Sequence, residues 1–197
     1  MRGADASYPL GPRSPASCTP AGSGHHGSVL TIVVSGPQAT GKTTLAMALG
    51  SAMAVPVFSR DPLMQALQAA GRRRWVPAAG LRLQTALLAR QLELGQSAIL
   101  ECIAPPAARQ EWRRMSVAAG GRFLSVECTC TDAGAHRARF ERRQGPGRRG
   151  RGWDEVAATI RHYQPDAEAD FVADAMRPVA DLVADVIAIA GDGTTPR

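Results

Sequence analysis

Residues 29–44 read VLTIVVSGPQATGKTT, and positions 36–43 spell G-x-x-x-x-G-K-T. A β-branched apolar run comes first, as in a buried parallel strand, and Gly36 and Gly41 free the loop after it to turn backbone N–H groups inward on phosphate oxygens. A helix rich in Ala, Leu and Met is expected over 43–53, which sets the loop against the positive end of a helix dipole. Strand, glycine loop and helix in that order point to an α/β fold whose first loop grips a nucleoside triphosphate. The candidate ligands are Gly36, Pro37, Gln38, Ala39, Thr40, Gly41, Lys42, Thr43 and Thr44, with Lys42 on the β- and γ-phosphates and the Thr43 hydroxyl on Mg²⁺. Lys42 is the only lysine in a chain with twenty-two arginines. An arginine fork is wider than the compact ammonium such a loop accommodates, which accounts for the exception.

At 197 residues the chain suits one α/β domain, placed at 28–197. Residues 1–27 are Pro, Gly and Ser rich without apolar periodicity and read as a disordered tail. That tail holds no apolar core of about 7–15 residues, so it does not read as a secretory signal. No apolar run of about 18 residues is present to span a membrane, and a cytoplasmic location is expected. Cys18 falls in the tail, Cys102 at a strand end, and Cys128 and Cys130 alternate along one strand. Suitably spaced metal partners are missing, so buried free thiols are expected.

Strand and helix alternate along the rest. Extended runs are expected at 55–59, 97–102, 122–129 and 169–174, and helices at 62–70, 81–94, 107–119, 132–144, 153–163 and 178–190. Residues 71–80 (GRRRWVPAAG) and 145–152 (GPGRRGRG) read as basic loops. Buried strands separated by helices give a parallel sheet covered on both faces, with ligands at the carboxyl ends of the strands.

Two carboxylates close strands there. Asp61 is either a general base for a substrate hydroxyl or the N-cap of the helix after it. Glu101 either orients the water shell of Mg²⁺, contacts the phosphoryl acceptor, or makes a structural ion pair. Between positions 137 and 161 eight arginines face only Glu141, Asp154 and Glu155. Arg139 and Arg143 share a helix face beside Arg142, and the Gly/Pro loop after them can hinge, so 132–163 reads as an Arg-rich lid that neutralises charge on a transferred phosphoryl group. The alternative is a solvated helix in an arginine-rich chain. The net charge of +6 keeps open nucleic-acid binding, as a 5′-polynucleotide kinase or a nucleic-acid-associated NTPase. Aromatics are too scattered among the arginines for base stacking, which makes nucleic acid the less favoured partner.

From about position 29 to 190 the order of parts resembles the small P-loop kinases that include chloramphenicol phosphotransferase, gluconate kinase and zeta-toxin-like kinases, often labelled AAA-family ATP-binding proteins. GPQATGKTT is similar to their Walker A loop, FSRDPL to the strand end that carries the general-base Asp, and AILEC to the strand ending in Glu. ECTCTDAGAHRARFERR resembles their lid strand and helix, and DFVADAMRPV the last strand with the loop near adenine. The resemblance implies a nucleoside-kinase-like P-loop NTPase fold, ATP and Mg²⁺ as cofactors, and phosphoryl transfer to a hydroxyl of a small molecule. Pro62 and the GRRRWVP segment depart from the pattern where the acceptor would bind, so the acceptor is not carried over.

Overall fold

Six residues, Leu30–Ser35, form β1, and every one of them is buried. Burial on all sides follows from their place in the sheet. In the computed structural model, which describes residues 29–71, 77–144 and 152–191, β1 pairs in parallel with β3 (Ala98–Glu101) on one side and β4 (Arg122–Thr129) on the other. With β2 (Val57–Ser59) and β5 (Phe171–Asp174) at the edges, the order is β2-β3-β1-β4-β5, all parallel. The expected tail at 1–27, the arginines of the 71–80 segment and most of the 145–152 loop lie outside the described residues.

The period of two along each strand sends alternate side chains to opposite layers. Ile32, Val34, Ile99, Val126 and Cys128 pack under α1 (Lys42–Met53) and α7 (Val179–Gly191) through Leu45, Leu49, Leu182 and Val186. Val33, Ala98 and Leu100 face α3 (Pro77–Glu93) and α4 (Pro106–Ala118), where Leu88 and Trp112 fill the core. Trp112 is fully buried, and its indole N–H donates to Thr85 Oγ1 at 2.8 Å, which satisfies the one polar atom the burial would otherwise strand. The remaining helices are α2 (Arg60–Ala69), α5 (Ala133–Gln144) and α6 (Trp153–Arg161).

The chain leaves β1 for α1 on one face and leaves the adjacent β3 for α4 on the other. Their carboxyl ends therefore part and open a crevice, the place where open α/β sheets bind ligands.

Several expected boundaries shift. The third helix starts at Pro77, not at 81, because Pro is tolerated in a first helical turn and Gly80 is held by packing: a Cβ there would come within 2.7 Å of Arg60 Cγ. The second helix starts at Arg60, so its N-cap is Ser59 and Asp61 is the second helical residue; the capping reading of Asp61 is thereby corrected. Asp132, by contrast, does cap α5, its Oδ1 accepting from the Ala135 N–H at 2.7 Å. Strand β4 ends at Thr129, which leaves Cys130 past the strand and half-buried, not on a buried strand face.

Candidate active site

The loop between β1 and α1 is shaped by two backbone requirements. Gly36 takes φ +142°, and a Cβ there would meet the Cys128 carbonyl oxygen at 2.3 Å, so only glycine lets the loop leave β1 against β4. Gly41 takes φ +85° and serves as the N-cap residue of α1 without a side chain to cap it. The first turn of α1 carries no acidic residue, so its N–H groups and dipole are left to attract an anion. Within the loop, Thr40 Oγ1 and Lys42 Nζ each donate to the Pro37 carbonyl at 2.8 Å. Lys42 is buried, and that burial pulls its pKa below the ordinary lysine value against the opposing pull of Glu101, Cys128 and Asp61. Thr43 and Thr44 are exposed in the first turn of α1. Two serial glycine-dependent bends, an uncompensated helix N-terminus and a buried ammonium fit a nucleotide polyphosphate.

Among the described residues no group of three His, Cys, Asp or Glu side chains is arranged to hold a metal ion. A nucleotide-bound Mg²⁺ keeps most of its waters and takes only one or two protein oxygens, which the exposed Thr43 hydroxyl fits.

The crevice beside the loop is a cavity of about 590 Å³ lined by Lys42, Asp61 and Glu101, with Gln38, Arg60 and Gln65 among its other walls. The structure thus brings the lysine and both sequence-identified carboxylates into one space. Glu101 is buried and stands beside Val34 in the β1–β3 register, whereas Asp61 is exposed at the start of α2. Gln84 of α3 fixes the two strand ends that deliver them. Its fully buried amide N–H₂ donates to the Phe58 carbonyl at 2.7 Å and the Glu101 carbonyl at 3.0 Å, a tie that helix periodicity gave no sign of.

Arg139, Arg142 and Arg143 gather elsewhere. They line a second cavity, of about 130 Å³, with Thr40 and Gly41 on the loop, Thr44 in the first turn of α1, and Arg177 and Leu182 on the α7 side. The arginines and the carboxylates therefore reach the phosphate loop from separate cavities. Arg139 is already engaged, its Nη2 donating to the Ala175 carbonyl at 2.6 Å, while Arg142 and Arg143 are exposed. The neighbouring Arg137 pairs with Glu141 at 2.8 Å on the solvated side of the same helix. Helix α5 also holds the loop directly: the buried His136 Nε2 lies 2.6 Å from the Gln38 carbonyl, and its ring meets Trp153 of α6 edge-on at 5.3 Å. Ala39, Phe140 and Val156 form a small apolar cluster beneath that contact. His136 carried no motif; only its position one helical turn before Phe140 and Arg139 hinted at an inward face.

A polar network lies under the crevice. Tyr163 OH donates to Glu127 Oε2 at 2.9 Å and sits 3.0 Å from Ser35 Oγ, which in turn accepts the Ala104 N–H at 3.1 Å. Arg109 Nε stands 3.5 Å from Asp166, which Ser125 also contacts. Burial holds the Glu127 carboxyl above the usual carboxylate range, with the Tyr163 and Asp166 hydrogen bonds opposing. The strand register that sets Ser35 beside Glu127 could have signalled this pair, since both are polar in otherwise apolar strands.

Cys102 and Cys128 are buried, and burial pushes both thiols up to about 12, which leaves them inert at neutral pH. Among the described residues, no helix is long and apolar enough to cross a membrane.

Residues 31–176 match the family described as AAA domain. Several solved structures share the fold. A Chloroflexus aurantiacus protein provisionally called a kinase superposes with a TM-score of 0.67 at 20% identity, covering 87% of this chain and 100% of its own. The APS kinase CysC of Mycobacterium tuberculosis, in complex with AMPPNP and APS, gives 0.57 at 20% identity over 82% of this chain and 97% of that one. A gluconokinase from Sinorhizobium meliloti gives 0.57 at 18% identity over 83% and 91%. No curated protein matches the sequence. With three quarters of its length matched and a five-stranded parallel sheet built around a glycine loop, the chain belongs to the AAA domain family and has the fold of the small P-loop kinases.

Proposed function

We propose that the protein is an ATP-dependent kinase that moves the γ-phosphoryl group to a hydroxyl of a small molecule. The observation that carries this reading is the single cavity in which Lys42, Asp61 and Glu101 meet beside the phosphate loop. The loop amides and Lys42 hold the phosphates, and Arg139, Arg142 and Arg143 close on them from the opposite side as part of a lid over 132–163. When bound at Thr43, Mg²⁺ would supply charge neutralisation on the phosphate oxygens. Asp61, exposed at the mouth of the cavity, accepts the acceptor's hydroxyl proton as that oxygen bonds to the γ-phosphorus; the bond from phosphorus to the bridging oxygen breaks and ADP leaves. Glu101, buried at the end of β3, orients the acceptor or the water around the metal. The walls of this cavity set Asp61 and Glu101 against Lys42 and Arg60, so among the described residues the cavity presents no net positive charge to draw in a polynucleotide backbone, which favours a small acceptor.

Asp61→Asn tests the assignment. Since Asp61 is an exposed first-turn residue of α2 whose charge contributes at most about 0.3–1 kcal/mol at a helix N-terminus, the variant should melt close to the wild type and bind Mg·ATP normally, while phosphoryl transfer falls by about 10²–10⁴. A stable variant with undiminished turnover would remove Asp61 from the chemistry.

A further inference from the structure

The carboxylate cavity does not end at Ile103. Through Arg60, Ile103 and Thr159, which line both, it continues into a second cavity of about 600 Å³. The character of the wall changes there. Leu81 of α3, Ala104 and Pro105 of the β3–α4 connection, Pro106 at the start of α4, and Ala158 of α6 present mainly apolar atoms. Of the polar groups along it, the Tyr163 hydroxyl is already engaged with Glu127 and Ser35. His162 and Gln164 stand exposed at the far rim.

We infer that this apolar extension receives the body of the phosphoryl acceptor, and that the acceptor is an uncharged alcohol with an apolar or aromatic body, not a polyol or sugar acid. The inference rests on the kinase reading above and narrows its substrate class. Three observations carry it. The extension opens directly onto the space where Asp61 and Glu101 stand, so one molecule can place its hydroxyl at the carboxylates and its carbon skeleton along Ile103 and Pro106. Each cavity falls within the roughly 300–1,000 Å³ typical of small-molecule sites. A polyhydroxylated acceptor would press most of its remaining hydroxyls against Leu81, Ile103, Ala104, Pro105, Pro106 and Ala158, with polar partners confined to Arg60, Thr159, Tyr163 and the rim residues, which costs affinity for every hydroxyl left stranded. Among the described residues the lining of the extension holds one arginine, Arg60, which already has an interaction partner, so hydrophobic contact and not charge supplies the specificity.

The test uses the full chain saturated with Mg·ADP, with 3-phenyl-1-propanol as the apolar-bodied probe and sorbitol as the polyol, followed by ligand-observed saturation-transfer NMR. Wild type should bind 3-phenyl-1-propanol at least about tenfold more tightly than sorbitol. Ala158→Trp fills the extension and should weaken that binding at least about tenfold while leaving Mg·ATP affinity within about twofold. Ile103→Asn, which makes the shared wall polar without adding bulk, should act in the same direction and stands in if the tryptophan variant does not fold. Sorbitol binding as tight as that of the aryl alcohol, or folded variants that bind the aryl alcohol as wild type does, would overturn the inference. Loss of probe binding in the variants together with no phosphoryl transfer to any alcohol would uphold the pocket assignment and overturn the kinase reading instead.

Discussion

Replacing Gly36 with alanine adds one methyl group at the most constrained position of the phosphate loop. The native φ of +142° lies where L-residues rarely go, and holding a non-glycine residue there costs about 1–3 kcal/mol. The new Cβ would also stand 2.3 Å from the Cys128 carbonyl oxygen and 3.1 Å from Cys128 Cβ. That partner is backbone of a central strand flanked by β1 and β5, so it cannot swing aside, and overpacking of this kind adds about 1–3 kcal/mol. Together the two terms come to about 2–6 kcal/mol, or a fall in Tm of about 4–24 °C at roughly 2–4 °C per kcal/mol for a chain of this size. If the loop relaxes instead of the sheet, the cost reappears as lost nucleotide affinity, because the amides no longer converge. Differential scanning fluorimetry with and without Mg·ATP reads both quantities. A Gly36→Ala protein with wild-type Tm and wild-type nucleotide affinity would refute the close approach of loop and β4.

Lys42→Arg should lose turnover by at least about 100-fold, nearly as much as Lys42→Ala, because the buried site against the Pro37 carbonyl holds a point charge and not a planar fork; steady-state ADP release checks this, and an active arginine variant would show that charge alone suffices. For Glu127 the sign is set by burial: the native carboxyl keeps its proton to higher pH than the unfolded one, which ionises near its ordinary 4.5, so stability falls as pH rises through the native titration. Glu127→Gln, which keeps an acceptor for the Tyr163 hydroxyl, should flatten that fall in urea melts between acid and neutral pH, and an unchanged slope would assign the dependence to another group.

Local chemistry was legible in the sequence wherever it depends on neighbours along the chain. The apolar run of β1, the glycines at 36 and 41 and the Asp132 cap all follow from short-range requirements, and the structure has them where the residues indicate. Asp61 shows the limit. A carboxylate one residue before a proline reads as a cap, yet helix α2 begins two residues earlier because Ser59 closes a strand paired with β3, a contact between segments some forty residues apart. The same holds for Gln84, an ordinary polar residue in an amphipathic helix until the sheet order sets the Phe58 and Glu101 carbonyls beside it. Arg139 and its neighbours were recognisable as a cluster from their spacing, but not that they reach the loop from a different cavity than Asp61 and Glu101, since α5 packs on α6 and meets the loop through contacts remote in sequence, such as His136 with Gln38.

The central claim is that the cavity shared by Lys42, Asp61 and Glu101 joins a phosphoryl donor to an alcohol. It is tested most directly by incubating the full chain with Mg·ATP and candidate alcohols, and following phosphoester formation and ADP release together by ³¹P NMR. The account predicts a new phosphomonoester that appears in step with ADP, depends on the alcohol and vanishes in Asp61→Asn. ATP hydrolysis that no alcohol stimulates and that yields only inorganic phosphate, or transfer solely to the 5′ end of an oligonucleotide, would contradict it.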